Sequence, residues 1–151
     1  MFFEEKGDTN MKKYLNLSLL YAICAMAGGV FCREFTKLHA FTGVTALGRV
    51  HTHLFLLGLL VFLVVALFAA HQDLTGHKLF QAFLWIYNIG VPLSAAMLLV
   101  RGVTQVLALP LSAGAPAAIS GVAGIGHILT GTGIILLLVS LKKTAGAGVS
   151  P

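Results

Sequence analysis

The chain has 151 residues, of which 58% are hydrophobic and only 10% are charged, and its formal net charge at pH 7 is +5. Soluble domains carry about 25% charged residues, so this composition excludes an ordinary water-soluble domain and predicts a protein whose solvent is the lipid bilayer. The lysines and arginines stand at the ends of apolar segments, as is usual in membrane proteins, and the positive charge therefore does not indicate nucleic-acid binding.

Four apolar segments, each long enough for a helix that crosses roughly 30 Å of hydrocarbon, follow one another along the chain. The predicted helices cover residues 14–32, 47–70, 79–101 and 119–141. Residues 104–118 are rich in Ala, Gly and Pro and are predicted to form a loop. The pattern predicts a single all-α domain, an integral membrane four-helix bundle.

The distribution of lysines predicts how the chain is oriented. Six lysines lie on the side of the N-terminus: Lys6, Lys12, Lys13, Lys78, Lys142 and Lys143. Fewer basic residues lie on the other side, and cytoplasmic loops carry the excess of Lys and Arg, so both termini are predicted to be cytoplasmic. Met11 precedes two lysines and the first apolar segment, and it is an alternative start to Met1.

Three of the six histidines fall inside predicted helices, where an ionisable residue is by default a functional hypothesis. At a rise of 1.5 Å per residue, His51, His53 and His127 lie about 6, 9 and 12 Å from the starts of their helices. All three are therefore expected in the same half of the membrane. Residues two apart on a helix point about 200° apart, so only one of His51 and His53 is expected to face the other helix. Two imidazoles at one level could hold a cofactor between them.

Glycines lie next to these histidines along the helices. Gly124 and Gly131 share a face with His127, and Gly58 is related to His51 in a similar way. Missing side chains above and below an imidazole leave room for a flat macrocycle, although small residues also let helices approach closely. With a histidine at the centre of each glycine pattern, we favour the macrocycle and expect a b-type haem.

Arginines add a second feature that fits haem. Arg33, Arg49 and Arg101 stand at the ends of three helices on the side of the histidines, where guanidinium groups are suited to bind the two haem propionates. On the third helix, small or polarizable residues share the face that leads to Arg101: Gly90, Ser94 and Met97. Met97 is a candidate axial ligand, with a packing role as the more common alternative.

Other chemistries lack necessary parts. No carboxylate lies deep in a predicted helix, as a proton-coupled exporter would require, and the chain has no phosphate-binding loop, nucleophile elbow or CxxC. The histidines at 51 and 53 have no carboxylate or thiol nearby to complete a zinc enzyme site. The sequence therefore contains no catalytic constellation beyond a haem site. Copper, which accepts imidazole and thioether, remains an alternative with His51, His53 and Met97 along its path.

Several stretches together resemble a family of small bacterial four-helix membrane proteins known only as a domain of unknown function: residues 30–37 (VFCREFTK), 50–58 (VHTHLFLLG), 88–90 (NIG) with 101–102 (RG), and 124–127 (GIGH). The likeness extends from about Met11 to Lys143. It implies a multi-pass protein of the bacterial plasma membrane and brings no activity. The histidine-bearing helices are also similar, more weakly, to helices of haem-copper membrane proteins. This chain has no evident three-histidine copper site, so oxygen reduction is not expected.

The leading hypothesis is a b-type haem protein that transfers electrons or binds oxygen or nitric oxide, with His127 and either His51 or His53 as axial ligands. The glycine pattern favours His51, and the depth estimate favours His53. Two rival hypotheses are a non-redox accessory or assembly subunit of a larger membrane complex, and a small copper-handling protein. Beyond the bilayer, the expected partners are a redox protein, a larger complex or a second copy. The gas ligand, the oligomeric state and any catalysed reaction stay open.

Overall fold

The computed structural model describes the backbone of residues 2–147 and the side chains of residues 9–144. Four long helices make up this part of the chain: α1 (Phe2–Leu38), α2 (Gly48–His71), α3 (Lys78–Val106) and α4 (Ala115–Ala147). Each contains a segment long and apolar enough to cross a membrane, and no strand occurs within residues 2–147. The prediction of an all-α protein with four membrane helices is confirmed.

The helices extend beyond their predicted bounds: α1 covers Phe2–Leu38, where 14–32 was predicted, and α4 ends at Ala147, where residue 141 was predicted. Helix α1 continues beyond residue 32 to Leu38, because a helix does not have to end where its apolar segment ends. The predicted loop at 104–118 is shorter, since α3 continues to Val106 and α4 begins at Ala115. Pro116 is tolerated in the first turn of α4, where its missing N–H would have had no helical partner.

The helices pack in chain order, α1 on α2, α2 on α3 and α3 on α4, and the contacts of α1 with α2 and of α3 with α4 are the two most extensive. Within the described residues, α4 has no comparable backbone packing with α1 or α2. The backbones of α2 and α4 therefore stand apart. We call the end of the bundle that holds the connections 39–47 and 107–114 the histidine end, and the opposite end the termini end.

An aromatic cluster joins α1, α2 and α3 toward the termini end. Tyr14 contacts Phe80 with ring centroids 5.7 Å apart, and Phe83 lies between Phe80 and Tyr87 at 5.6 and 5.2 Å. Phe62 of α2 adds a contact to Tyr87 at 6.0 Å. Aromatic pairs contribute about 0.5–1.5 kcal/mol each beyond their buried area, so this cluster fixes three helices against one another.

Both connections at the histidine end begin with the same left-handed turn. Ala40 has φ 49° and Ala108 has φ 46°. The N–H of Phe41 donates to the carbonyl of Thr36 at 2.9 Å, and the equivalent bond after Ala108 measures 3.2 Å. This is the Schellman arrangement, in which glycine usually holds the left-handed position. The two alanines therefore end α1 and α3 with the same type of turn.

Helix α2 is not α-helical throughout. Its first part, Gly48–His53, and its last part, Val61–His71, are α-helical, whereas Leu54–Leu60 is a π-helix. A π-helical segment is rare and frequently lies at a functional site. It begins directly after His53, and it changes the angular position of the first part of α2 relative to that of a continuous α-helix.

Two hydroxyl groups from neighbouring helices bond to the π-helical segment. Ser18 of α1 donates to the carbonyl of Leu59 at 2.8 Å, and Tyr87 of α3 donates to the carbonyl of Leu57 at 2.7 Å. In hydrocarbon a backbone group without a partner costs several kcal/mol. The two side chains therefore stabilise the carbonyl positions of the π-helix from both sides.

Candidate functional site

His53 of α2 and His127 of α4 face each other across the space between their helices. The centroids of the two imidazole rings are 6.0 Å apart, and the ring planes are inclined at 84°. His53 is partly buried and His127 is exposed. The structure thus brings together one histidine of α2 and one histidine of α4, the two helices whose histidines were expected at a similar depth in the membrane.

The hydrogen-bond partners of the two rings indicate which nitrogen carries the proton. Nδ1 of His53 lies 3.0 Å from the carbonyl oxygen of Arg49, and Nδ1 of His127 lies 2.8 Å from that of Ala123. A carbonyl oxygen only accepts, so each Nδ1 donates, and in the neutral ring Nε2 keeps its lone pair. This is the tautomer of a histidine that binds metal through Nε2. His39 makes the same kind of bond, so the feature that distinguishes this site is the pairing of two such rings.

The separation of the ring centroids is compatible with one metal ion between the rings. Two imidazoles that bind an ion from opposite sides at about 2 Å each have centroids roughly 6 Å apart. The observed value is 6.0 Å. Both ring planes contain the ligand axis in such an arrangement and are free to rotate about it, so the inclination of 84° is compatible with it.

His51 lies on a different face of α2 and contacts α1. A Cβ atom added to Gly29 of α1 would be 3.7 Å from the His51 ring. Nδ1 of His51 is buried and has no hydrogen-bond partner among the described residues, and its Nε2 is 3.4 Å from Oγ1 of Thr52. His51 and His53 diverge as their spacing predicts, and His53 is the one that faces α4.

The three glycines that were expected beside a cofactor have different surroundings. A Cβ on Gly124 or Gly131 would have nothing within 4 Å, so open space borders His127 on both sides along α4. Gly58 lies directly against the ring of Tyr21. The space beside Gly58 is therefore filled by α1, and this glycine serves the close approach of two helices.

The face of α3 that holds its small residues packs against α4. A Cβ on Gly90 would lie 2.6 Å from the backbone nitrogen of Thr130, and one on Gly126 would lie 2.6 Å from Oγ of Ser94. Such contacts are typical of membrane helices whose backbones approach closely. This face therefore has a packing role, which differs from the lane beside a macrocycle that its spacing suggested. Met97 is partly buried on the same helix.

The three arginines lie at the histidine end of α1, α2 and α3. Arg101 is partly buried, donates to Oγ of Ser120 on α4 and lines a cleft of about 290 Å³. Nε of Arg33 is 3.7 Å from a carboxylate oxygen of Glu34, and the side chain is 82% exposed. Arg49 is exposed. Arg101 is thus the arginine that is tied to the helix carrying His127.

One close contact near these residues was not identified from the sequence. Gly28 and Gly29 of α1 lie against Val50 and His51 of α2 and bring these two helices together. Two adjacent glycines inside an apolar helix could have indicated this close helix contact from the sequence. Among residues 9–144, no group of three or more His, Cys, Asp and Glu side chains is arranged to hold a metal ion.

A family model described as "Protein of unknown function (DUF2871)" matches residues 11–144. No curated protein and no solved structure matches the chain. The matched region includes the facing histidines and nearly all of the four membrane segments found in the described residues, and the description of the family names no activity or cofactor.

Proposed function

We propose that this chain, which belongs to the DUF2871 family of proteins of unknown function, binds one b-type haem between α2 and α4 with His53 and His127 as axial ligands. The observation that carries the proposal is the pair of rings 6.0 Å apart, each with Nδ1 bonded to a backbone carbonyl. Such a bond fixes the ring orientation and leaves Nε2 for the metal.

Open space beside His127 supports a flat macrocycle over a bare ion. Gly124 and Gly131 border the histidine on α4 without a protein neighbour within 4 Å of their Cβ positions, and α4 has no extended packing on α2. A porphyrin needs room around the metal in the plane between the two imidazoles. The glycines would supply that room on the α4 side.

Arg101 is the best placed of the arginines to bind a propionate. Ser94 contacts Gly126, the neighbour of His127, and the rise of α3 from residue 94 to residue 101 is about 10 Å. A propionate arm directed toward the histidine end would meet the guanidinium group, which binds carboxylates strongly. The other two candidates lie at the ends of α1 and α2: Arg33 and Arg49.

The lysine distribution supports an orientation with both termini in the cytoplasm. The histidine end then faces the outer side of a bacterial plasma membrane. The haem would lie in the outer half of the bilayer, and its propionates would be directed to the outer surface.

A haem with two histidine ligands supplies one-electron chemistry and is six-coordinate, which suits electron transfer. Binding of oxygen or nitric oxide would require one histidine to leave the iron. Because both rings are held by backbone hydrogen bonds, we propose electron transfer as the function. Carbon monoxide distinguishes the two roles, since it should leave the spectrum of the reduced protein unchanged when both ligands stay bound.

The test is the optical spectrum of the full chain, produced with a supply of haem and purified in detergent. We expect a Soret band and about one haem per chain in the wild type, and complete loss of the band in His127→Ala. His39→Ala is the matched control, because His39 makes the same bond to its own helix but lies outside the pair. A wild-type protein that stays colourless with saturating haem would overturn the proposal.

Copper is the second candidate, because two imidazoles at this separation also suit a single copper ion. Elemental analysis of the same sample distinguishes haem from copper. One copper per chain in the absence of haem would identify copper as the bound group. A protein that binds neither and purifies together with a larger membrane complex would indicate an accessory subunit.

A further inference from the structure

A second cleft lies on the other side of α2, between α2 and α1, and is separate from the histidine pair. It has a volume of about 230 Å³, and its lining includes His51, Phe55, Met26 and Arg33. Ligand sites for drug-sized molecules have volumes of about 300–1,000 Å³. The cleft therefore has room for a single ring and not for a macrocycle.

His51 is a lining residue of this cleft, and its ring has a nitrogen without a partner in the described part of the chain. Its Nδ1 is buried and lacks a hydrogen-bond partner among the residues described. The comparable rings of His39, His53 and His127 all donate from Nδ1 to their own helix. A buried polar atom without a partner is unfavourable, and a hydrogen bond to a ligand, formed after the ring rotates toward the cleft, would give this nitrogen a partner.

The sides of the cleft open toward the lipid. Met26 and Val30 of α1 are each 60% exposed and flank the opening. Both lie in a segment that is apolar enough to cross the membrane. A molecule that enters by this route comes from the hydrocarbon and has to be soluble in it.

The polar groups at the cleft do not require an anionic ligand. Arg33 is the one Lys or Arg residue that lines it, and its guanidinium is paired with Glu34 at 3.7 Å. The remaining polar group is the imidazole of His51. Imidazole donates a hydrogen bond to a carbonyl through N–H and accepts one from a hydroxyl through its other nitrogen. The cleft is thus suited to a neutral ring that carries carbonyl or hydroxyl groups.

We infer that this cleft binds the ring of a lipid-soluble quinone or quinol, with His51 as the hydrogen-bonding residue. The apolar tail would leave between Met26 and Val30 into the bilayer. Quinone binding at His51 does not depend on haem.

A role for this quinol as electron donor does rest on the proposed haem. His51 and His53 are two residues apart on α2, so the cleft and the histidine pair lie on different faces of one helix. One quinol would lose two electrons and two protons and become the quinone. The electrons would reduce two ferric haems, in two copies of the chain, to the ferrous state, and the protons would pass to water.

Photolabelling with an azido derivative of ubiquinone tests binding in the detergent-purified full chain. We expect label on α1 and α2 peptides of the cleft, displaced by decylubiquinone, and at least a tenfold loss of labelling in His51→Phe. His77→Phe, at an exposed histidine near the termini end, is the control and should label as the wild type. His127→Ala, which removes the proposed haem ligand, should also label normally, so that failure of the haem proposal and failure of this one are distinguished.

Met26→Trp is the second variant, because an exposed side chain at the opening can be enlarged without repacking the core. It should block the cleft and also lower labelling at least tenfold. Labelling that is equal in wild type, His51→Phe and Met26→Trp would overturn the inference. Displacement by an anionic phospholipid and not by decylubiquinone would overturn it as well, and would indicate a lipid site.

Discussion

Helix α4 has glycines on two of its sides, and the glycines of the two sides have different roles. On the side toward α3, a Cβ on Gly126 would lie 2.6 Å from Oγ of Ser94, and one on Gly133 would lie 2.7 Å from the ring of Tyr87. On the side of His127, a Cβ on Gly124 or Gly131 would meet nothing within 4 Å. The first pair lets two helices touch, and the second lies on the exposed surface of α4. Glycine spacing alone cannot separate these roles, because both pairs have a separation of seven residues.

The largest effect is expected on the packed side. Gly126→Leu would drive a side chain into Ser94 and force α3 and α4 apart, at a cost of about 3 kcal/mol or more. Gly124→Leu, two residues away, places the same side chain in open space and should retain wild-type stability. Thermal unfolding in detergent, followed by circular dichroism, measures both. Equal destabilisation of the two variants would contradict the division of α4 into a packed and an open side.

The open side should matter for the cofactor and not for the fold. Gly131→Leu fills the space beside His127, and we expect at least a tenfold loss of haem affinity, which is about 1.4 kcal/mol, with unchanged thermal stability. Gly121→Leu is the matched control: its Cβ also meets nothing within 4 Å, but six residues place it on a different face from His127. Haem titration followed at the Soret band measures the affinity. Equal losses in the two variants would indicate that bulk on α4, and not the space beside His127, is responsible.

The smallest effect concerns Tyr87, which packs on Gly133 and donates to the carbonyl of Leu57 in the π-helical segment. Tyr87→Phe keeps the ring and removes the hydroxyl, so we expect a loss of about 1 kcal/mol in unfolding free energy. Ser18→Ala, which removes the bond to Leu59 from the other side, should have a similar effect. Equilibrium unfolding in mixed micelles gives both values. A stabilising effect of Tyr87→Phe would show that this hydrogen bond does not support the segment.

The sequence was sufficient for the helices and for the depth of the histidines. Hydropathy finds the four membrane segments because burial in lipid depends on composition over about 20 residues. The constant rise of a helix then relates His53 to His127 in depth. Neither estimate requires tertiary contacts. The structure has the four membrane segments, and it has the rings of His53 and His127 close together.

The choice between His51 and His53 could not be made from the sequence. The π-helical segment that begins at Leu54 alters the angle at which the first part of α2 meets its neighbours. Its carbonyls accept hydrogen bonds from Ser18 and Tyr87, which belong to other helices. The residues of the segment itself therefore do not predict the π-helix. The glycine pattern favoured His51 because of Gly58, which lies seven residues after His51 and contacts Tyr21.

Parallel haem titrations of His51→Ala and His53→Ala test the account most directly. The two positions differ by two residues on one helix, and only His53 faces His127. We expect His51→Ala to bind one haem per chain with the wild-type Soret band. His53→Ala should bind no haem that gives this band. Retention of the band in His53→Ala together with its loss in His51→Ala would contradict the assignment of His53 and His127 as the pair of ligands.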